Sequence, residues 1–496
     1  MMSGSIFSKV MGMAILAGAL SACSVAPAYR APVMDVPEQY REATLLAHAE
    51  SGGSWKIAEP ADHHDEPVGW EMLQDDDLLA LQARAVAANQ ELAAAVARLD
   101  AARALVDQAR AAWLPEIGIG TGVSRQRLAS AGQGGSDADA AMLRTSWRAQ
   151  AAVAYEVDVF GRVSASVQSA QADADGQRAQ ASALKLIIQA DVAHHYLLLR
   201  QLDAEAAILD ESVLAWTQTL ELVQSKRDQG VVTEAVVASI ETQLAQVQAQ
   251  RIATGQQRSL AEHALAVLLG EFPSRFSLPV RPQSFVALSI PPGLPSSLLE
   301  RRPDIAAAER AMAAENARIG IAKAAFFPSL SLTGAFGYES ASLGSLFDWS
   351  QRTFLLGPLV GTALNLTAFD GGRRRAALAQ AEAAYQERLA QYRQVVLRAF
   401  REVEDGLASV RDLDARLERL RAAQAGAARA RAEARDRFDA GDVDYLFVLE
   451  TERAWLTQQQ AVARAEGDRL RAAVDLVRAL GGGWGRRTAG AQDVAA

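Results

Sequence analysis

The densest run of metal-ligating side chains is Asp62-His63-His64-Asp65-Glu66. Such a run could hold a divalent cation, but a metal site needs elements that fix ligand geometry. These residues lie in a polar segment with neither helical nor strand periodicity, so no metal is expected. Asp191, His194 and His195 share a helical stretch. His195 falls on its apolar seam, which reads as a packed, hydrogen-bonded histidine rather than a general base. Gly118-Ile119-Gly120-Thr121-Gly122 superficially suggests a dinucleotide loop. It sits inside an alternating strand instead of at a strand-to-helix turn. The sequence carries no nucleophile elbow, Walker loop or zincin pattern. No catalytic residue is expected, and the chain does not read as an enzyme. Arg373-Arg374-Arg375, at a strand-to-helix junction, reads as an interfacial anchor.

The single cysteine is placed for a different chemistry. Residues 1–9 end in a lysine, 10–20 are apolar, and Ser21-Ala22-Cys23 follow. Residues 1–22 form a secretory signal too short to span a bilayer. Leu20-Ser21-Ala22-Cys23 resembles a bacterial lipobox, which implies cleavage before Cys23 and acylation of that residue. A covalent lipid on Cys23 is the expected modification, and no cofactor is expected. Three acyl chains would be ample for anchoring. Ser24 stands where aspartate would favour inner-membrane retention, so outer-membrane delivery is the default. One cysteine excludes a disulfide framework. A net charge of −9 argues against nucleic acid as a partner.

The elements that carry these residues occur twice. Ala111-Ala112-Trp113-Leu114-Pro115 reappears 213 residues later as Ala324-Ala325-Phe326-Phe327-Pro328. Phe160 matches Phe369 at an offset of 209, and Gly230 and Leu269-Gly270 match Gly441 and Leu480-Gly481 at 211. The reading is a lipidated segment over 23–70, repeats over 71–270 and 301–482, a connector over 271–300 and a tail over 483–496. Seven of the fifteen prolines fall between Pro273 and Pro303, and none in 116–272 or 359–496. Those two tracts can therefore be helical over much of their length.

Period-two alternation predicts strands near 116–125, 147–159, 329–338 and 353–368, each with one apolar and one small or polar face. Lengths near ten residues suit membrane-spanning strands. The helices follow 3,4 spacing, as in Val192, His195, Leu199 and Leu202. At offset 211 this seam superimposes on Val403, Gly406, Val410 and Leu413. Such seams pack helices side by side. Helices over 161–228 and 371–439 would each be ~100 Å long. Each reverses at a glycine turn, 228–233 or 439–445, and returns over 233–269 or 444–480. The fold class is mainly α with membrane β: a duplicated unit of helical hairpin plus strand pair. Four strands cannot close a membrane barrel, and an open sheet in lipid leaves unpaired backbone. Several copies are needed, and the residues alone do not choose two, three or four. A periplasmic coiled-coil scaffold or adaptor lipoprotein without a channel is the alternative, which leaves the two-faced strands without a role.

The run Arg302-Pro303-Asp304-Ile305-Ala306-Ala307-Ala308-Glu309-Arg310, then 317–332, resembles the signature of the TolC/OprM/NodT outer-membrane efflux lipoproteins. Phe369-Asp370-Gly371-Gly372-Arg373 and 438–446 fit the same family. The resemblance implies a homotrimer with a twelve-stranded barrel in the outer membrane, continued by a periplasmic α-barrel. It implies an exit duct for drugs and other small molecules in a tripartite pump. The partners would be a periplasmic adaptor and an inner-membrane transporter, most often of the resistance–nodulation–division class. It further implies a periplasmic constriction at the hairpin turns, with Asp442 and Asp444 as gate candidates. Their bland reading is helix capping by Asp444. Gly230, Val231, Val232, Thr233, Gly441 and Val443 are the implied adaptor contacts, the glycines being otherwise simple helix ends.

Overall fold

In a computed structural model of the chain, the described residues are 25–34, 36–37, 40–42, 70, 75–128, 142–281, 302–356 and 362–482. The signal segment, Cys23, residues 62–66, most of the connector and the 483–496 tail lie outside them. Helices α1 (Asp76–Ala88) and α2 (Gln90–Ala111) precede strands β1 (Glu116–Leu128) and β2 (Met142–Val157). Then come α3 (Arg162–Asp228) and α4 (Glu234–Leu268). The second repeat supplies α5 (Pro303–Ala324), β3 (Ser329–Ser340), β4 (Arg352–Leu356), β5 (Thr362–Asn365), α6 (Arg373–Asp439) and α7 (Tyr445–Ala479). The duplication is close: α2 and α5 are 22 residues each, and α3 and α6 are 67 each. No described helix is long and apolar enough to cross a membrane.

The chain divides into two compact units, each drawing on both repeats. The first comprises described residues up to Val33, Arg98–Gln177 and Ala308–Tyr392. Its antiparallel sheet runs β1-β2-β3-β4, with β5 also paired to β3. Ile119 lies opposite Ala151, Ala151 opposite Phe336, and Phe336 opposite Phe354. Alternation therefore gathers Ile117, Ile119, Val123, Phe336 and Phe354 on one face, where all are exposed.

Strand boundaries differ from the alternation pattern at several points, with β1 running on to Leu128 and β3 to Ser340. β2 begins at Met142, because its ladder with β1 continues to Leu128. It ends at Val157, because Asp158 turns out to cap α3, accepting from the Val163 and Ser164 amides at 2.9 and 2.7 Å. The strand expected over 353–368 is two ladders on β3, β4 and β5, and residues 366–368 lie beyond them. Register here is set by the partner strand, which periodicity cannot see. In the same unit the N-terminal segment lies on α5. Tyr29 donates to Glu309 at 2.6 Å and Asn316 to the Pro27 carbonyl at 2.9 Å. Burial, with the Glu309 carboxylate beside it, raises the Tyr29 hydroxyl pKa. A Cβ on Gly320 would come within 2.6 Å of the Ala26 Cβ, so glycine permits this approach.

The second unit is built on heptads. Leu209, Trp216 and Val223 of α3 are buried, as are Ile240, Val247, Thr254 and Ala261 of α4 and Leu449 and Leu456 of α7. Each series steps by seven, the repeat that keeps one stripe facing its neighbours. Val192, Leu199, Leu202, Val403 and Gly406 are buried as their seam requires, while Val410 and Leu413 are half-buried in a single copy. His195 is half-buried, yet its Nδ1 is buried and makes no hydrogen bond, contrary to the hydrogen-bonded reading at that atom. Burial lowers its pKa and so favours the neutral ring, an effect that Asp191 partly offsets.

The connector is tied down by charge. Asp203 is fully buried and accepts from Arg200 at 3.0 Å, Arg258 at 2.7 Å and the Arg281 amide at 3.1 Å. Arg200 also donates to the Pro279 carbonyl at 2.9 Å, and Arg258 to that of Leu278 at 2.8 Å.

Candidate functional site: the hairpin turns and the strand faces

Both hairpin turns are built by the same device. The Val231 amide donates to the Lys226 carbonyl at 2.9 Å and Gly230 to Arg227 at 2.8 Å. In the second repeat Asp442 donates to Arg437 and Gly441 to Phe438, both at 2.9 Å. This is the Schellman pattern, in which the C′ residue takes positive φ. Gly230 and Gly441 have φ of 74° and 81°. Nothing lies within 4 Å of a Cβ built on either, so backbone conformation alone demands glycine. Gly441→Ala should therefore destabilise by ~1 kcal/mol. Gly426→Ala, in open space inside α6, should stabilise by ~0.5–1 kcal/mol. Thermal unfolding of the two variants should move in opposite directions.

The turns then diverge. Thr233 is the N-cap of α4 without a side-chain cap bond. Asp444 is the N-cap of α7, and its carboxylate accepts from the Leu446 amide. Asp442 is exposed, and among the described residues no hydrogen bond or ion pair to its carboxylate is found. Val231 is exposed, whereas Val232 and Val443 are half-buried, Val232 against the α3–α4 core.

The second turn also carries an aromatic cluster that periodicity did not single out. Phe438 and Tyr445 meet edge to face with centroids 4.9 Å apart, and the Lys226 ammonium sits 4.8 Å from the Phe438 centroid. Tyr445 donates to Thr219 at 3.2 Å, and burial raises its hydroxyl pKa. A groove of about 300 Å³ beside them includes Trp216, Glu452 and Trp455. Arg431 lies 3.9 Å from the Trp455 centroid and 2.8 Å from Glu452, which also pairs with Arg435 at 2.6 Å. Repeat one has Leu220, Glu241 and Leu244 where repeat two has Arg431, Glu452 and Trp455. Comparing the repeats for such departures is the sequence signal that could have located this cluster.

The sheet has two chemical faces. Opposite the exposed apolar side lie Gly118, Gly120, Gly122, Gln150, Arg148 and Glu339. Glu339 accepts from Ser146 at 2.7 Å and pairs with Arg148 at 3.1 Å. A charged pair on that face and bare Ile and Phe on the other fit a sheet between lipid and an aqueous lumen. Trp349 is exposed with Arg352 above its ring at 4.4 Å, and Tyr338 meets Phe347 at 5.7 Å, as aromatics flanking a membrane band would. Arg374 is not a free anchor: it pairs with Asp370 at 2.7 Å and lies over Phe326, while Arg373 and Arg375 are exposed. Among the described residues no group of three or more His, Cys, Asp or Glu could hold a metal.

A two-faced strand set joined to 67-residue helices and glycine-capped hairpins is the architecture of an outer-membrane channel protein. The chain belongs to the outer membrane efflux protein family, whose model matches residues 81–271 and 294–482. Outer membrane protein OprJ of Pseudomonas aeruginosa is 32% identical over 474 residues, covering 95% of each chain. The toluene efflux pump outer membrane protein TtgF of Pseudomonas putida is 31% identical over 476 residues, 95% of this chain and 96% of the other. The solved outer-membrane channel OprN superposes with a TM-score of 0.82 at 28% identity, over 93% of this chain and 100% of that one. The open state of the Neisseria gonorrhoeae MtrE channel gives 0.78 at 27%, over 93% and 98%.

Proposed function

We propose that this outer-membrane efflux protein is the exit duct of a tripartite pump, passing small molecules such as drugs or solvents and catalysing no reaction. One observation carries the reading. Among the described residues β1 pairs only with β2, and β4 and β5 pair only with β3, so both sheet edges are free while the apolar face is bare. Bilayer insertion requires closed hydrogen bonding, which further copies supply. Three copies would give a twelve-stranded barrel, the family's arrangement. A coiled-coil scaffold would leave Ile119, 86% exposed, facing water for no purpose. The partners are a periplasmic adaptor meeting the turns at Gly230, Val231, Val232, Thr233, Gly441 and Val443, and an inner-membrane transporter of the resistance–nodulation–division class. Cys23 carries the covalent lipid, and no cofactor is required. Purified protein should be trimeric in detergent and conduct ions in planar bilayers; a monomer without conductance would refute the duct.

Asp442 and Asp444 are the proposed cation-attracting constriction, repeated threefold around the axis. Asp442 is exposed with no partner found among the described residues, which supports a role beyond capping. Asparagine at 444 keeps an N-cap oxygen while removing charge. Asp442→Asn combined with Asp444→Asn should reduce cation preference and lower single-channel conductance at low salt, where the ring's attraction for cations is least screened. Conductance and selectivity identical to the parent would remove these residues from the gate.

A further inference from the structure

The two faces of the sheet carry their arginines differently. Odd-numbered residues of β1 lie on the apolar face, which begins with Ile117 and Ile119 and ends with Arg125 and Arg127. The ladders carry this face onward, with Thr121 opposite Ala149, Ala149 opposite Tyr338 and Tyr338 opposite Arg352. None of the described strand positions on this face is Asp or Glu, and Arg125, Arg127 and Arg352 are its only charges. All three stand at one end. The helices join the sheet before Glu116, after Val157 and before Ser329, whereas Arg125 and Arg127 close β1 and Arg352 opens β4. Arg125 and Arg352 are exposed, and among the described residues no carboxylate pairs with either. On the opposite face, by contrast, Arg148 has Glu339 at 3.1 Å.

We propose that the helix-remote rim of the apolar face, at Arg125, Arg127 and Arg352, binds the phosphate groups of a phosphorylated glycolipid in the outer leaflet of the membrane. The proposal rests on the duct reading, which puts the helices in the periplasm and this rim at the outer surface. Arg125 lies eight residues beyond Ile117, ~27 Å along the strand. At a tilt of ~40° that is a rise of ~20 Å, close to the top of a ~25 Å apolar band. A charge there costs far less than at the midplane, and the long stem lets the guanidinium reach the headgroups. The aromatics mark the same level independently. Trp147 lies opposite Val123, and Trp349 sits beneath Arg352 with ring centroid 4.4 Å away, as rings do at a lipid headgroup boundary. A guanidinium fork matches phosphate oxygens two at a time. A soluble anion would meet the charges but not the bare apolar strand beside them, and a neutral lipid would meet the strand alone. The helix-side rim of this face holds no cation at its described strand positions, so the periplasmic leaflet is not offered the same seat. A lipid with more than one phosphate can engage arginines on separate strands.

Full-length protein in a neutral detergent, titrated with bisphosphorylated lipid A and followed by native mass measurement, should hold it at least tenfold more tightly than the dephosphorylated form. Arg125→Gln combined with Arg352→Gln should remove most of that preference, at about fivefold for each cation beside an anionic surface. Arg144→Gln combined with Arg148→Gln makes the same change of charge on the opposite face and should leave the preference intact. Should the first pair block assembly, Arg125→Gln alone gives the readout, because no carboxylate among the described residues loses a partner by it. It should weaken binding about fivefold, and Arg125→Lys should restore most of the loss. Binding indifferent to phosphate, or lost equally from both faces, overturns the rim site. Equally tight binding of phosphatidylglycerol, presented in the same detergent, would show a general anionic surface and overturn the glycolipid. Planar-bilayer conductance reports the duct separately. A conducting oligomer without phosphate preference overturns the rim alone, whereas a monomer without conductance overturns the duct and the rim with it.

Discussion

Asp203→Ala should cost about 3–5 kcal/mol, because it strands the fully buried Arg200 and takes a partner from the largely buried Arg258. Arg200 is 1% and Asp203 0% exposed at the side chain, with Arg258 at 17%. The carboxylate accepts three donors there, from Arg200, Arg258 and the Arg281 amide. Removing it leaves the guanidiniums with the Leu278 and Pro279 carbonyls, Glu262 and, for Arg200, Tyr196 as compensation. The same carboxylate holds the start of the connector against α3 and α4, so its loss should also make the chain near Arg281 more protease-sensitive. Asp203→Asn keeps the shape without the charge and should lie between parent and alanine variant. Thermal unfolding of the assembled protein checks the order. A loss below about 1 kcal/mol for Asp203→Ala would mean that the surroundings re-pair the arginines.

The second large effect separates the two faces of one strand. Ile119→Arg places a guanidinium on the apolar face, where charge costs about 2–4 kcal/mol near a bilayer midplane. Every copy in the barrel would bear this cost, so membrane-inserted oligomer should fall at least tenfold. Gly120→Arg is the neighbouring residue on the other face, where a Cβ would meet nothing within 4 Å. That variant should assemble, with reduced conductance and less preference for cations. Heat-modifiable mobility of outer-membrane fractions reports assembly, and bilayer recordings report the pore. Equal tolerance of both arginines would show that this sheet does not divide lipid from lumen.

The helices were legible because their signals are local. A proline-free tract, a 3,4 seam and a glycine at each reversal bracket α3 and α6 almost to the residue. The turn sites were legible for the same reason, since a Schellman cap needs positive φ at one position. Strand ends were less so: Asp158 reads as part of an alternating run until its carboxylate is seen capping α3. The Asp203 cluster was illegible because its donors come from residues 200, 258 and 281, and periodicity records faces rather than partners. The Arg431–Glu452–Trp455 group was hidden for a related reason, spanning both arms of a hairpin.

By itself the sequence determined the duplication, the helical hairpins, the alternating strands and the family, because each is written in spacings of a few residues or in recurrence at a constant offset. Only the tertiary structure decided that β2 pairs with β3, joining the repeats in one sheet. Only it showed that Phe160 is stacked while Phe369 stands bare. The physical reason is that both phenylalanines have nearly the same local surroundings in sequence. Their difference lies in what the fold brings to them: Phe327, 167 residues away, in one case, and no ring among the described residues in the other, because which strands become neighbours is settled by long-range pairing.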